Sequence, residues 1–593
     1  MQNTIELGCR KAHAQPSILL TMRTPIYDSV ALGHLVEQSQ QLLPMLVLAD
    51  EVLGSEHDLD PNFESALKLR LAIAREILQA CKVPVFDLGE VTDFQFNADD
   101  GGSCTVACHV PWLDEFPLTV CTRAHELAGH VLQVMAMAQD AVVVMRLFEQ
   151  IYAEFIEPAR RQIPGGVAAI PVLAICHHRQ QPFRHVGLGI YQVGWGAKRR
   201  LFDRSSQDQD SNIGARMAGS KSGTTRLLLS AGLPGSNQQV VRTAAEAMSA
   251  AAKLGWPVVV KPDTGERGEG VITNIQDEAT LLTAFEAARQ RGRRVVVEQH
   301  VRGFCHRIMV SEGQLIYANQ RLPKLVVGDG KRSVQQLIDD GNAAERAKLP
   351  WRRLKPLPND ATTEQTLADQ GLALVSTPEN GRQVFLRSRD DTATGGQAVD
   401  MTATIHPANV AAAIRAVAVL GLSTGGVDII SEDLTKPWWQ NGAIINEVNF
   451  APLIGEHRTG ISVEGSLGKW LDVLVPDDGR IDIELFLGPD ALEMGLAALP
   501  DQQDQQKAVF LLHEHSCWGP SGEVDMLGVS GIVSGLRALT TRPEVEKILI
   551  AVDNPEQAFT QLPIDRIHRY SESSAALGVE WALLKASVKR FMV

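Results

Sequence analysis

The chain has 593 residues, enough for three or four domains with their own cores. Its 45% hydrophobic and 21% charged content match a soluble globular protein. A formal net charge of −14 argues against non-specific nucleic-acid binding, which needs basic surface, but leaves room for a local basic groove facing an anionic substrate.

Eight cysteines are spread along the chain, too sparse for a disulfide scaffold, so reduced cytoplasmic thiols are expected. No apolar run approaches the roughly 18 residues of a membrane span. The start, MQNTIELGCRKAHAQ, lacks an apolar signal core, so neither export nor membrane insertion is expected.

Residues 1–164 mix apolar runs at 18–22 and 45–49 with helical stretches at 64–81 and 124–156. Gly165-Gly166 marks a break, and the apolar run 168–176 after it reads as a strand. A glycine and basic segment, Gly194-Trp195-Gly196-Ala197-Lys198-Arg199-Arg200, comes next. Helices at 221–231 and 241–254 each end at a glycine, Gly232 and Gly255. A β-rich stretch continues to about residue 330, followed by helices near 333–348. An alanine-rich helix at 408–420 then leads into two apolar runs joined by a polar turn. From 480 onward, strands at 481–487, 508–513, 547–552 and 566–570 alternate with helices, which predicts a small parallel α/β layer. The glutamine-rich segment 502–506 reads as a surface loop.

The richest chemistry lies at 426–449. Asp428 sits in the first apolar run, and Glu447 and Asn449 sit two apart in the second, so those two share a strand face. Asn441-Gly442 predicts a tight hairpin that would bring all three together. Two carboxylates and an amide oxygen suit Mg²⁺, which takes hard oxygen ligands and leaves room for phosphate. The alternative is a solvated polar hairpin.

Upstream, a valine run ends in Lys261-Pro262 and is followed by Asp263-Thr264-Gly265-Glu266-Arg267-Gly268-Glu269-Gly270. A glycine-rich hairpin tip lets backbone N–H groups approach phosphate oxygens, and Lys261 would add a cation there. An ordinary glycine hairpin has the same look. The run 295–297 leads into Glu298, Gln299, His300 and Val301, a polar hinge able to hold adenine and ribose. Arg307 follows on the next strand, where its guanidinium would hold a transferring phosphoryl group or form a plain ion pair.

These pieces, in this order, resemble the ATP-grasp half of the cyanophycin synthetase family. The resemblance also rests on Gly194-Trp195-Gly196, on Lys221 before Arg226-Leu227-Leu228, and on Arg321-Leu322-Pro323. It continues through Val327-Gly328-Asp329-Gly330, Thr394-Gly395-Gly396, Ile405-His406-Pro407 and Glu447-Val448-Asn449. It implies an α/β multidomain protein: an N-terminal α+β domain at 1–164, an ATP-grasp domain at 165–479, and a small Rossmann-like remnant of a Mur ligase at 480–593. It implies that Arg307, Arg321 and Lys261 are catalytic. Lys221, Lys261, Gly265, Arg267, Gly268, Gly270, Glu298, Gln299 and Val301 would bind ATP. Asp428, Glu447 and Asn449 would hold Mg²⁺. A carboxylate would become an acyl phosphate, which an amine attacks to give an amide, ADP and phosphate.

Several positions depart from the family. Gly303-Phe304-Cys305, Asp391, Phe450-Ala451-Pro452-Leu453 and Gly455 replace its usual residues, all nearer the acyl and amine substrates than the ATP. The P-loop of a full Mur half is absent from the sequence after Asp478. The chain therefore resembles the shortened second type, which joins β-aspartyl-arginine dipeptides into cyanophycin. Other readings are a ligase for another amino acid or dipeptide, or a partner subunit of a complete cyanophycin synthetase. A homo-oligomer, dimer or tetramer, is what the resemblance implies.

Three metal-like patterns compete with this picture. His125 and His130 are five apart, which takes them off one helical face and argues against a zinc protease helix. Cys104, Cys108, Cys121 and His125 are irregularly spaced for zinc, and His513, His515 and Cys517 read as packed or solvated side chains. Cys305 reads as a small core residue.

Overall fold

The computed structural model describes residues 5–6, 17–42, 54–55, 59–97, 102–113, 115–138, 140–165, 169–265, 269–388, 396–452, 454, 463–499, 508–514, 516–520, 522–524, 531–554 and 567–572. The chain is an α/β protein of several sheets and divides into two compact units. One contains residues 1–203, 349–351 and 475–593, and the other 204–348 and 352–474. Among the described residues no helix is long and apolar enough to cross a membrane.

The first unit opens with a five-stranded sheet in the order Ile5–Glu6, Ser17–Pro25, Ser103–Pro111, Glu90–Phe96, Gly54–Ser55. Helix Pro61–Ala80 starts where Asp60 accepts from the amides of Asn62 and Phe63, with Pro61 in the first turn. Leu67, Leu71 and Ile77 are fully buried along it. The expected single helical stretch at 124–156 is in fact two helices, Leu118–Met137 and Ala141–Ile151, running into a π-helical turn, Tyr152–Ile156. Asp140 caps the second of these by accepting from the Val142 amide.

The run expected as a strand at 168–176 is instead helix Ala169–His178. Nine apolar residues do not separate a strand from a buried helix by periodicity. Pro171, tolerated in a first helical turn, carried the better signal. Strands Phe183–His185, Ile190–Val193 and Arg200–Asp203 follow as an antiparallel ribbon.

The C-terminal sheet has the order Gly522–Val524, Cys517–Gly519, Val509–Leu512, Lys547–Val552, Asp482–Leu487, Arg569–Glu572. Its last four strands are mutually parallel, as the alternation of strand and helix predicts. Side chains alternate between two cores: Ile483, Leu485, Ile548 and Ile550 pack with Leu536 and Leu539, while Phe486, Leu549 and Ala551 pack with Ala491. Both faces are therefore covered, as a parallel sheet requires. Trp195 belongs to the first of these cores. Its amide donates to the Gly479 carbonyl at 2.7 Å, and the Ala197 amide donates to the Val545 carbonyl at 2.7 Å.

The second unit holds two sheets that carry the candidate site. The first has the order Gln238–Val241, Val295–Gln299, Val258–Pro262, Ile272–Ile275, covered by helices Ala244–Leu254 and Glu278–Arg289. The second has the order Gln397–Asp400, Gln314–Leu322, Phe304–Ser311, Thr424–Ser431, Ile444–Asn449. Ile308, Val310, Val427, Ile429 and Val448 line the face of this second sheet that packs with Ala412, Ala413 and Ala416 of helix Pro407–Val419. The opposite face carries the polar residues. A smaller lobe joins Leu325–Val327 to Gln383–Phe385 beneath helices Val334–Arg346 and Ala361–Ala368.

Candidate active site

Strands Thr424–Ser431 and Ile444–Asn449 pair antiparallel, with Asp428 directly opposite Glu447. The connection differs from the expected tight turn. Residues 438–441 form a short helical turn, and Gly442 closes it in the left-handed conformation at φ 66°. Asn441-Gly442 is thus a helix C-terminal signal, because a left-handed glycine after a helix and one inside a hairpin share the same backbone need. The long connection still delivers the same register. Asn449 Nδ2 donates to Asp428 Oδ2 and to Glu447 Oε1, each at 3.2 Å.

Arg307 lies opposite Asp428 on the neighbouring strand. Its Nε donates to Asp428 Oδ1 at 2.5 Å and its Nη2 to Oδ2 at 3.0 Å, a bidentate fork. Arg321 Nη1 reaches the same carboxylate at 3.4 Å. Asp428 is 1% exposed. Burial alone would raise its pKa, but the two guanidiniums reverse that and hold it below the ordinary carboxylate range. The same pairing overcomes the burial penalty on Arg307 and raises its pKa. Glu447 is pushed upward, by burial and by the adjacent Asp428 charge. Two carboxylates side by side, one of them disfavoured as an anion, make a donor set that a divalent cation would relieve. Asn449 would add an oxygen donor suited to Mg²⁺ only with its amide turned over, since its Nδ2 faces both carboxylates.

Gly426 makes the fork possible. A Cβ there would lie 2.9 Å from Arg307 Nη1 and 2.9 Å from Pro452 Cβ. The Thr-Gly-Gly-Val-Asp order holds this signal, a small residue two positions before a buried carboxylate on one strand face.

Lys261 ends strand Val258–Pro262 and is 3% exposed. It pairs with Glu298 at 2.8 Å and donates to Asn446 Oδ1 at 3.1 Å, which ties the two sheets together. Glu298 also accepts from Ser236 Oγ at 2.9 Å. The Gln299 and His300 amides donate to the Asn237 and Pro257 carbonyls, so those two amides are not open to a base. Val301 follows them directly.

Helix Lys221–Ser230 is fixed by Asp263. Its Oδ1 accepts from the Ser222 amide at 2.8 Å, and its carbonyl accepts from the Lys221 amide at 3.0 Å. Lys221 Nζ then reaches the Gly265 carbonyl at 2.8 Å and Glu447 Oε2 at 3.9 Å. Asp263 and Asn446 are positioning residues that sequence reasoning missed. Lys-Pro-Asp at a strand end was a usable signal for the first, while Asn446 had none. Gly270 has φ 73°, as a tight glycine turn requires. Arg267, Gly268, Thr394, Gly395 and His515 lie outside the described residues. Among the described residues no group of three or more His, Cys, Asp or Glu is arranged to hold a metal.

The ATP-grasp domain family model matches residues 215–321. This chain contains an ATP-grasp domain. Cyanophycin synthetase of Nostoc sp. is 33% identical over 301 residues, covering 50% of this chain and 33% of that protein. Cyanophycin synthetase of Synechocystis sp. is 31% identical over 269 residues, covering 44% and 31% respectively. The glutathione biosynthesis bifunctional protein of Mannheimia succiniciproducens is 30% identical over 214 residues, covering 34% and 28%. The match to this chain thus spans only about a third of the length of each of these curated relatives. Among solved structures, the bifunctional glutathione synthetase from Pasteurella multocida is 17% identical at a TM-score of 0.42, covering 76% of this chain and 77% of that one. The ATP-grasp segment, 215–321, supplies Lys221, Lys261, Arg307 and Arg321, and ends before Asp428, Glu447 and Asn449.

Proposed function

We propose that this protein is an ADP-forming ligase that makes an amide bond through an acyl phosphate. The observation that carries the reading is the buried cluster in which Arg307 and Arg321 converge on Asp428 beside Glu447 and Asn449, with Lys221 and Lys261 close by. Such a cluster concentrates fixed cations and oxygen donors where phosphate charge develops. Lys221 and Lys261 would bind phosphate oxygens, Gly265 and Gly270 would flank the nucleotide loop, and Glu298, Gln299 and Val301 would line the base and ribose. Asp428, Glu447 and Asn449 would hold Mg²⁺, which when bound screens the phosphate oxygens. Arg307, fixed by its fork to Asp428, would face the acyl phosphate, and Arg321 would support it.

In the bond-forming step the amine lone pair adds to the acyl carbon. The C–O bond to phosphate breaks with its electron pair on the leaving phosphate, which takes up the proton that the amine gives up. The residues named supply position and charge. The relatives named cyanophycin synthetase favour a cyanophycin-like chain as product, and the resemblance to the shortened second type favours β-aspartyl-arginine as substrate. We also read 480–593 as a Mur-ligase-like layer without nucleotide chemistry, supported by its parallel strands and by the absence of a P-loop sequence within it.

Phosphate release from ATP and Mg²⁺ with a short cyanophycin primer tests the reading. Turnover with β-aspartyl-arginine but not with free aspartate plus arginine is the expected result. Turnover with the free amino acids alone overturns the dipeptide assignment. No turnover with either, together with unchanged polymer synthesis by a complete synthetase mixed with Glu447→Ala protein, would favour a partner subunit.

A further inference from the structure

The second sheet of the ATP-grasp unit carries one continuous row of polar residues across its five strands. Strand pairing sets Asp400 opposite Asn319, Asn319 opposite Arg307, Arg307 opposite Asp428, and Asp428 opposite Glu447. Directly paired residues share a sheet face. At about 4.8 Å per strand, Asn319 lies one strand from Arg307 and roughly 14 Å from Glu447.

Four members of this row have an account. Glu447 and Asp428 are the proposed metal carboxylates, Arg307 is forked to Asp428, and Asp400 is exposed and accepts from the Thr402 amide at 2.8 Å. Asn319 has none. It is 3% exposed, yet its Oδ1 is buried with no hydrogen-bond partner. Its neighbours two residues away on the same face are Tyr317 and Arg321, and Arg321 reaches Asp428. A buried amide oxygen left unpaired is destabilising, and an apolar residue of similar shape would avoid that cost. Asn319 therefore weakens the free protein at a point adjoining the reacting centre.

We propose that Asn319 is the positioning residue for the attacking amine, and that Asp400 forms the outer edge of the same acceptor end. The inference rests on the ligase reading given above. The orphaned atom is an acceptor, so its ligand must bring a donor. In amide formation the nucleophile is the reactant that brings N–H groups. Asp400, also an acceptor, lies beyond Asn319 and matches an amine that arrives as an ammonium ion. The row then has a direction: phosphate and metal at Glu447 and Asp428, the acyl phosphate at Arg307, the amine at Asn319 and Asp400. The ligand class is an amine-bearing, amino-acid-like acceptor whose nitrogen is held by one neutral and one anionic oxygen acceptor.

The test separates acyl-phosphate formation from amine attack. Full-length protein is given ATP, Mg²⁺ and β-aspartyl-arginine with a cyanophycin primer, and amide formation is followed as acceptor concentration varies. In parallel, hydroxylamine traps the acyl phosphate as a hydroxamate, since this small nucleophile needs no ordered acceptor site. Asn319→Leu is expected to raise the acceptor KM about tenfold or more while hydroxamate formation stays within about twofold of wild type. Its melting temperature should equal or exceed that of wild type, which excludes misfolding as the cause. Asn319→Asp, which keeps an acceptor oxygen, should hold the acceptor KM within about threefold. Equal losses of hydroxamate and amide, or an unchanged acceptor KM in Asn319→Leu, overturn the proposal. Absence of hydroxamate from the wild-type protein would overturn the ligase reading itself and is distinguishable from either result.

Discussion

Glu447 is the residue at which the site is least comfortable. Its pKa is raised by burial and by the Asp428 carboxylate, and Lys221 at 3.9 Å only partly offsets this. Removing its charge should therefore stabilise the metal-free protein. Glu447→Gln is expected to raise the melting temperature without Mg²⁺ by a few degrees, corresponding to about 1 kcal/mol. The same variant should lose the thermal stabilisation that Mg²⁺ plus a non-hydrolysable ATP analogue gives wild type. Thermal shift with and without the metal reads both effects. A Glu447→Gln protein that keeps the full metal-dependent shift would remove Glu447 from the ligand set. Asp428, Glu447 and Asn449 were legible as a group because strand alternation and residue chemistry point the same way. The Arg307 fork to Asp428 was not, since the sequence separates them by 121 positions and only the sheet order makes them neighbours.

At the scale of elements, what could be read depended on whether backbone requirement and periodicity agreed. Helices Lys221–Ser230 and Ala244–Leu254 end at glycines with φ 72° and 80°, as the sequence indicated. Helix Ala169–His178 differs from the expected strand because it is apolar on nearly every side, and a buried helix gives no amphipathic stripe. Asn441-Gly442 closes a helical turn rather than the expected hairpin because one left-handed glycine serves two kinds of turn. Strand Thr424–Ser431 presents a more consequential backbone need. Its Gly426 leaves the space that the Arg307 side chain fills. Gly426→Ala should displace the guanidinium from Asp428 with little change elsewhere in the strand. The expected outcome is a loss of turnover of about 10²-fold, with nucleotide affinity within a few-fold of wild type. Turnover near the wild-type rate would mean that the fork adapts and that its position is not what limits the reaction.

At the scale of the molecule, the division into two units does not follow chain order. The first unit gathers the N-terminal third and the C-terminal layer, so the segment Gly194–Lys198, which the resemblance set beside the ATP-grasp elements, is held instead by Gly479 and Val545. Contacts this distant in sequence carry no local signature, and this is why the partition was not readable from composition. The first unit also contains a buried charge that bears on its pH dependence. Arg70 is 5% exposed and, among the described residues, donates to the Arg23 and His125 carbonyls and the Thr24 hydroxyl. His125, 6% exposed, is held neutral by burial and by Arg70, its pKa lowered to about 3. An unfolded histidine takes its proton near pH 6.5. Because the folded value lies below the unfolded one, this stabilisation is complete above about pH 6.5 and is lost as pH falls toward 3. The loss is about 1.4 kcal/mol per pH unit inside that window. Hydrogen exchange followed peptide by peptide between pH 7 and 4, corrected for intrinsic rates, should show Leu118–Met137 and Ser103–Pro111 losing protection before the strands that carry Arg307 and Asp428. His125→Leu should flatten that dependence, since Arg70 needs only the backbone carbonyl at this position. Equal acid sensitivity in both units, or an unchanged slope in His125→Leu, would place the proton uptake elsewhere.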